Sequence, residues 1–455
     1  MNNRLVRRVL GMSKYSLSSS VVLRSEPQYY GTYAAFDYKK VETEFLTKEE
    51  YIILENVHNE PKTVPEISEE LEIDSKTCGE FLKRMIKQGY VKEGADSSET
   101  VLPEREKISP ELFKKFSLPF LSAPTSVDVF ITSRCNLKCV HCFANGDTRN
   151  SSELSVGDLE SIFNQLERMG VFEVRITGGE PLLHREIEKV ILSLRQRRFR
   201  KVILTNGTLF DEKIVKLLNE IRIIPTISLD DSNAQGCDLF RGVKGAFNQT
   251  IAALDLLQRS GVQYGINCCL HRGNLDRYDE IITLAEKYGA QRIAFLHLEP
   301  VGRMKNNLKF LPSYEEYETM VPVLLLARSH HRRIDVALDV FLHCYPLKES
   351  ILEAKKGFIS CQTGKSKMSI GSDGFIYPCN TVISDPHWRM GNIRNEKISD
   401  IWFSAGWAFF RGDVMIKNLQ KCRECSKRAK CMDFYCRLLP YATSGNPFGP
   451  HPKCA

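Results

Sequence analysis

The chain reads as an α/β protein: a partial (β/α)6 TIM-like barrel, preceded by a winged helix-turn-helix domain and followed by a cysteine-rich domain. Three observations lead there. Between residues 120 and 340, β-like runs and helical patterns alternate six times, which builds a parallel sheet with helices outside it. Before that, two short β-rich runs are followed by three helical patterns. After it the alternation stops, and seven cysteines fall between Cys361 and Cys454 among short segments punctuated by Gly and Pro. The expected domains are 1–105, 120–340 and 341–455, and 455 residues are enough for several buried cores.

In the first domain Ser18–Arg24 and Gly31–Phe36 are the β-rich runs. Lys48–His58 follows Thr47 and Val64–Leu71 follows Thr63, both good N-caps. Ser75–Gln88 stops at Gly89, a good C-cap, and carries an apolar stripe of Phe81, Leu82, Met85 and Ile86. Tyr90–Lys92 is the expected first strand of a wing. Gly94–Ser98 and Pro103 mark a linker. In the second domain the expected strands are Ser126–Thr132, Glu173–Thr177, Lys201–Thr205, Ile223–Leu229, Gln263–Cys269 and Arg292–His297. The expected helices are Val156–Met169, Arg185–Leu194, Glu212–Glu220, Ala246–Arg259, Leu275–Tyr288 and Tyr314–Arg328. Chemistry in such folds sits at the C-terminal ends of the strands. The third domain has few apolar runs, so metal is expected to hold it.

A net charge of +7, with Lys/Arg and Asp/Glu interspersed, describes a solvated surface and not a nucleic-acid footprint. No run of 18 apolar residues suggests a membrane span. The basic start (Arg4, Arg7, Arg8) has its apolar stretch broken by charge, so no export signal is expected and the chain is placed in the cytoplasm. There thiols stay reduced, and fifteen cysteines point to soft-metal or iron–sulfur binding.

The first cysteine group is Cys135-Asn136-Leu137-Lys138-Cys139-Val140-His141-Cys142, directly after the first barrel strand. Three thiolates at CxxxCxxC spacing suit a 4Fe–4S cube with one iron left open. An open iron can take S-adenosylmethionine (SAM) through its amino and carboxylate groups. The competing reading is a zinc site completed by His141, which lies in a cramped position between two of the cysteines.

Further segments follow in order: Gly178-Gly179-Glu180-Pro181 after the second strand and Asn206 after the third, then Ser228 and Asp230 ending the fourth and Arg241 in Phe240-Arg241-Gly242. Together with the cysteines, over about 125–305, they resemble the radical SAM superfamily. The resemblance implies reductive cleavage of SAM to a 5′-deoxyadenosyl radical. It implies that Gly178, Gly179 and Glu180 border the SAM amino group, and Ser228 its ribose. Arg241 would hold its carboxylate, and His141 would border its adenine. Asn206 and Asp230 would complete the cofactor site.

The later cysteines, with Gly374-Phe375-Ile376-Tyr377-Pro378-Cys379 among them, resemble the SPASM extension of that superfamily. The resemblance implies two auxiliary 4Fe–4S clusters, three clusters in all. Cys422, Cys425, Cys431 and Cys454 would hold the outer one, and Cys361, Cys379 and Cys436 the inner one. The chain departs from the family in placing four residues, not three, between Cys431 and Cys436. A fourth inner ligand would stand where Lys367 is, so that iron is either open, for a substrate thiolate, or capped by Cys344. A zinc knuckle is the competing reading of Cys422–Cys431. Cys78, Cys237, Cys268 and Cys269 are expected to be ordinary thiols.

The winged domain carries Lys76, Lys83, Arg84 and Lys87, but these interleave with Glu80 and the apolar stripe. Over about 17–94 it is similar to the peptide-recognition element of ribosomal-peptide maturases. That similarity implies a precursor peptide whose leader adds a strand to a sheet edge. The expected function is a peptide thioether maturase of the sactipeptide or ranthipeptide type, reduced by a flavodoxin- or ferredoxin-type donor and acting on neither DNA nor membrane. The alternatives are a carbon–carbon crosslinking or epimerising peptide enzyme and, from another class, an iron–sulfur or zinc DNA-binding regulator. A sulfatase-maturase type oxidation is disfavoured, because Asn380 stands where such relatives carry an acid. His271, His297 and Glu299 lie near strand ends, and the sequence singles out no general base among them.

Overall fold

The computed structural model describes residues 13–26, 28–29, 32–40, 42–94, 108–147, 152–337, 357–358, 361–383, 385–426 and 436–452. The expected linker at 94–103 lies almost wholly outside these residues, and so do Cys344, Cys431 and Cys454.

The N-terminal part contains β1 (Lys14–Leu17), β2 (Val21–Glu26), β3 (Thr32–Asp37), β4 (Glu42–Leu46), α1 (Lys48–Asn59), β5 (Lys62–Thr63), α2 (Val64–Leu71), α3 (Ser75–Gln88) and β6 (Val91–Glu93). Thr47 and Thr63 form capping boxes with Glu50 and Glu66, so α1 and α2 begin where the sequence places them. Two antiparallel sheets, β5-β1-β6 and β2-β3-β4, pack with the helices around Val21, Leu54, Ile67, Leu82 and Met85. The strand expected at Tyr90–Lys92 is β6, and its partner is β1.

This part docks beside the starts of the barrel strands. Buried Arg24 pairs with Glu26 and donates to Ala123 O at 2.7 Å, while Glu26 accepts from Ser122 N at 2.8 Å. Phe36 stacks on Phe172 at 4.6 Å, and Arg198 donates to Ser19 O and Val21 O.

The barrel strands are β7 (Ser126–Thr132), β8 (Glu173–Gly178), β9 (Arg200–Thr205), β10 (Ile223–Ser228), β11 (Gly265–Leu270), β12 (Arg292–His297) and β13 (Asp335–Ala337). All run parallel, in sequence order. Seven parallel strands replace the six expected, because three-residue β13 is too short to show a period. The helices between them are α4 (Val156–Met169), α5 (Ile187–Ser193), α6 (Glu212–Ile221), α7 (Ala234–Arg241), α8 (Ala246–Arg259), α9 (Tyr278–Lys287) and α10 (Tyr314–His330). The α7 helix was not expected. It is eight residues long and is capped by Asn233 and Gly242. Alternation sorts each strand: Val127, Val129 and Ile131 of β7 enter the core under the helices, leaving Asp128, Phe130 and Thr132 on the inner face.

The sheet stays open, because β7 takes a C-terminal strand as its other neighbour. That strand is β14 (Lys367–Ile370), parallel to β7 and followed antiparallel by β15 (Phe375–Tyr377) and β16 (Gly391–Asn392). Two helices follow, α11 (Ile398–Trp402) and α12 (Leu438–Ser444). Metal is not all that holds this part together. Trp402, Trp407, Phe410 and Leu438 are buried in one apolar core continuous with the barrel's. At its centre Arg411 lies 3.6 Å from the Phe120 ring centroid and 4.6 Å from that of Trp402, and it donates to Gly364 O at 2.7 Å. Among the described residues no helix is long and apolar enough to cross a membrane.

Candidate active site

The loop leaving β7 carries Cys135 and Cys139, both buried, and half-buried Cys142. They pack with Leu137, Val243 and Ala246. Leu137 N–H donates to Cys135 Sγ at 3.4 Å, and Arg241 Nη1 lies 3.9 Å from Cys139 Sγ.

Three elements grip this loop. From α7, Lys138 N–H donates to Arg241 O and Val140 N–H to Phe240 O. From β9, Asn206 Nδ2 donates to Asn136 Oδ1 at 2.9 Å, and Asn136 Nδ2 donates to Thr208 Oγ1 at 2.8 Å. Beyond β12, Arg303 donates through N to Cys142 O (3.0 Å), through Nε to Cys139 O (2.8 Å) and through Nη1 to Gly146 O (2.9 Å). Close approach fixes two glycines. A Cβ on Gly179 would stand 2.2 Å from Arg134 O, and one on Gly302, which has φ +54°, would stand 2.3 Å from Cys142 O. Asn136 sits inside the cysteine motif and was open to recognition there. Arg303, and Asn307, whose Nδ2 donates to Val140 O at 3.2 Å, carry no motif, and only the strand order brings them to the loop.

The residues expected around SAM gather here. Gly178 and Gly179 bring backbone against Thr132 and Arg134. The Glu180 carboxylate turns inward, accepting from Thr205 Oγ1 (2.6 Å), Asn206 N (2.8 Å) and Leu182 N (3.2 Å), and burial raises its pKa. Asn206 is committed to Asn136 and Thr208. Asp230, fully buried, pairs with Arg241 and accepts from Cys269 N at 2.8 Å. Burial opposes the Arg241 charge, but Asp230 and the nearby thiols keep it protonated. Ser228 ends β10 on the barrel's inner face. The His141 ring lies 4.4 Å from Phe240, which lies 4.0 Å from His271, three rings within 12° of parallel at each contact. Burial lowers both histidines, His271 to about 4, so both imidazoles are neutral near pH 7.

The donor set suits an iron–sulfur cluster and a polar ligand. Burial pushes the Cys135 thiol up to about 12, so occupancy by a cationic cluster supplies the charge that keeps the thiolates. Around the same loop Arg241 Nε, His141 Nδ1, Arg303 Nη2 and His271 Nε2 are buried with no hydrogen-bond partner among the described residues.

A second thiol set, Cys361, Cys379 and Cys436, lines one cavity with Phe409, Phe410 and Leu438. Among the described residues no three His, Cys, Asp or Glu side chains are placed to share a single metal ion, and these thiols face a common space instead. Burial raises Cys379 to about 11. Cys436 is raised by burial, by its two neighbouring thiols and by Glu299. Asn380, next to Cys379, donates to Asp128 Oδ2 at 2.8 Å and accepts from Ser369 Oγ at 2.7 Å, which ties the set to β7. Lys367 starts β14, its pKa lowered by burial and by Arg175.

Cys422 is half-buried and Cys425 exposed on one tight turn, with Cys425 N–H donating to Cys422 O. Cys78, Cys237 and Cys268 are buried core thiols. The twelve described cysteines form no disulfides with one another.

Residues 129–285 match the radical SAM superfamily model, and residues 361–426 match the SPASM iron–sulfur cluster-binding domain model. Mycofactocin maturase MftC of Mycolicibacterium smegmatis is 30% identical, over 76% of this chain and 86% of that protein. Fe-coproporphyrin III synthase of Methanosarcina barkeri is 29% identical, over 71% of this chain and 86% of that protein. The crystal structure of Streptococcus suis SuiB bound to precursor peptide SuiA shares the fold at a TM-score of 0.70 and 17% identity, covering 96% of this chain and 98% of that one. The cysteine loop on an open parallel barrel, the second thiol set and these matches lead to one conclusion: this chain is an enzyme of the radical SAM superfamily carrying a SPASM domain.

Proposed function

We propose that this enzyme matures a ribosomally made precursor peptide by joining a peptide cysteine sulfur to a carbon of another residue. The observation that carries this reading is the convergence of Cys361, Cys379 and Cys436 on one cavity, with Lys367 where relatives place a fourth thiol. Three protein thiols leave room for a substrate thiol at an inner auxiliary cluster. A peptide is the substrate class suggested by mycofactocin maturase and by the precursor-bound SuiB complex. The N-terminal part supports it. Among the described residues β4 pairs only with β3, so one edge is available for a leader strand, and Phe45 on it is 73% exposed. The regulator reading loses ground, because Arg84 of α3 is paired with Glu50 at 2.6 Å.

Cys135, Cys139 and Cys142 would hold one 4Fe–4S cluster, Cys361, Cys379 and Cys436 a second, and Cys422, Cys425, Cys431 and Cys454 a third, fed by a flavodoxin- or ferredoxin-type donor in the cytoplasm. With SAM bound, the first cluster supplies the one-electron chemistry that removes a hydrogen atom from a substrate carbon. The chain's own work is placement. The Gly178–Glu180 backbone and Ser228 would border SAM, the Asn136–Asn206 link fixes the loop, and Arg241 lends positive charge to Cys139. The His141–Phe240–His271 stack keeps water from one side.

The test uses anaerobically reconstituted protein, SAM, reductant and a synthetic peptide encoded by the neighbouring short reading frame. A product lighter by two hydrogens, with one thiol blocked to alkylation, is the expected result. The same loss with all thiols free would move the reading to a carbon–carbon crosslink, and absence of any peptide product would overturn it.

A further inference from the structure

We propose that Arg303 is a positioning residue for the first cluster: it clamps the Cys139–Gly146 backbone and supplies the positive charge that eases the cluster's reduction. The assignment rests on reading Cys135, Cys139 and Cys142 as the cluster's ligands, and goes beyond it by naming a group that governs the entry of the electron. It does not depend on which bond is made in the peptide. Arg303 follows β12, in the 3₁₀ turn Gly302–Asn306.

Three of its donors are spent on the cysteine loop. The backbone N–H reaches Cys142 O at 3.0 Å, Nε reaches Cys139 O at 2.8 Å and Nη1 reaches Gly146 O at 2.9 Å. The remaining nitrogen, Nη2, is buried without a hydrogen-bond partner among the described residues. Arg303 is itself pinned. Asn307 Nδ2 donates to Arg303 O at 2.8 Å as well as to Val140 O, and Met304 is buried with Phe240, Leu298 and Phe310. A guanidinium fixed in this way is in place before any cluster or SAM arrives.

Its charge differs from those of the other cations around the loop. Arg241 is paired with buried Asp230, Arg134 lies 3.6 Å from Glu153, and Lys138 is exposed to water. Among the described residues the Arg303 guanidinium is hydrogen-bonded by carbonyl oxygens alone. Carbonyl dipoles orient a guanidinium and leave its net charge in place, whereas a carboxylate partner cancels most of it at a distance.

The step concerned is a one-electron reduction. The electron comes from an external reductant, no bond is made or broken, and no proton moves. Three thiolates make the loaded site anionic, and the electron adds to that negative charge. A fixed cation beside the loop therefore favours the reduced form over the oxidised one and raises the potential.

The experiment uses the full chain, anaerobically reconstituted, and compares Arg303→Gln and Arg303→Lys with the parent. Iron content is measured first. The electron paramagnetic resonance signal that changes on adding SAM, which marks the cluster that binds it, is then titrated against potential. Arg303→Lys is expected to keep the iron content and potential of the parent. In Arg303→Gln the ratio of reduced to oxidised cluster at the parent's midpoint is expected to fall about tenfold, a shift of about 59 mV to more negative potential. Loss of iron in Arg303→Gln alone, with Arg303→Lys intact, would equally support a need for the charge. A parent-like potential in both variants would overturn the assignment. So would an equal shift, or an equal loss of iron, in both, which would make the residue a structural clamp and no more. A parent that shows no SAM-sensitive signal would instead overturn the reading of the three thiols, and this assignment with it.

Discussion

At the scale of single residues, the site works by crowding. Gly179 meets Arg134 so closely that Gly179→Ala must move one loop or the other, at a cost of about 1–3 kcal/mol. Lower melting temperature and reduced iron content after reconstitution are the expected outcomes. Asn206→Ala leaves Asn136 and Thr208 short of partners in a half-buried site, which costs roughly 1–3 kcal/mol. It is expected to slow deoxyadenosine formation more than it lowers SAM binding, since it loosens the thiol loop. These two residues show where the sequence was readable. The cysteines, glycines and Asn206 announce themselves by spacing. Arg303 could not be read, because nothing in its neighbours' identities shows that it reaches Cys139 and Gly146 across more than 150 positions of chain. Glu180 and Asp230 were legible as site residues, but their inward direction was not, since it depends on partners from other strands.

Among the elements, long amphipathic helices were legible almost to the residue, as α4 and α8 show. Most elements of two to four residues were not. β1, β5 and β13 exist only because a neighbouring strand offers hydrogen bonds, and three residues define no period. The β4 edge leads to a direct prediction. Phe45→Asp puts a charge where a leader strand would lie and is expected to weaken precursor binding about tenfold, read by fluorescence anisotropy of a labelled leader peptide. At the end of α10, His331 bonds Asp279 at 3.0 Å and Glu286 at 3.1 Å. Partial burial opposes its charge, but those carboxylates prevail and raise its pKa above the usual 6.5. The sign follows. The link contributes fully below that usual value and is lost as pH rises through the raised one. Thermal stability of the parent should therefore fall relative to His331→Gln over that window, by less than about 1 kcal/mol because the Asp279 partner is largely exposed to solvent.

Across the whole molecule, the barrel stands between recognition and chemistry. The N-terminal part touches it near the starts of β8 and β9, through Phe172 and Arg198, while the Cys135–Cys142 loop lies at the strands' far ends. Strands of six or seven residues separate those ends by roughly 20 Å. A precursor needs a spacer of at least about six extended residues to reach from one to the other. Peptides with shorter spacers are expected to bind and remain unmodified, which mass spectrometry beside the anisotropy assay would reveal. Underlying all of this is a cluster on three thiolates beside the open barrel. Changing Cys135, Cys139 and Cys142 together to Ala and measuring deoxyadenosine formed from SAM, anaerobically and with reductant, tests it most directly. The account predicts none above the enzyme-free background; formation at the parent rate would contradict it.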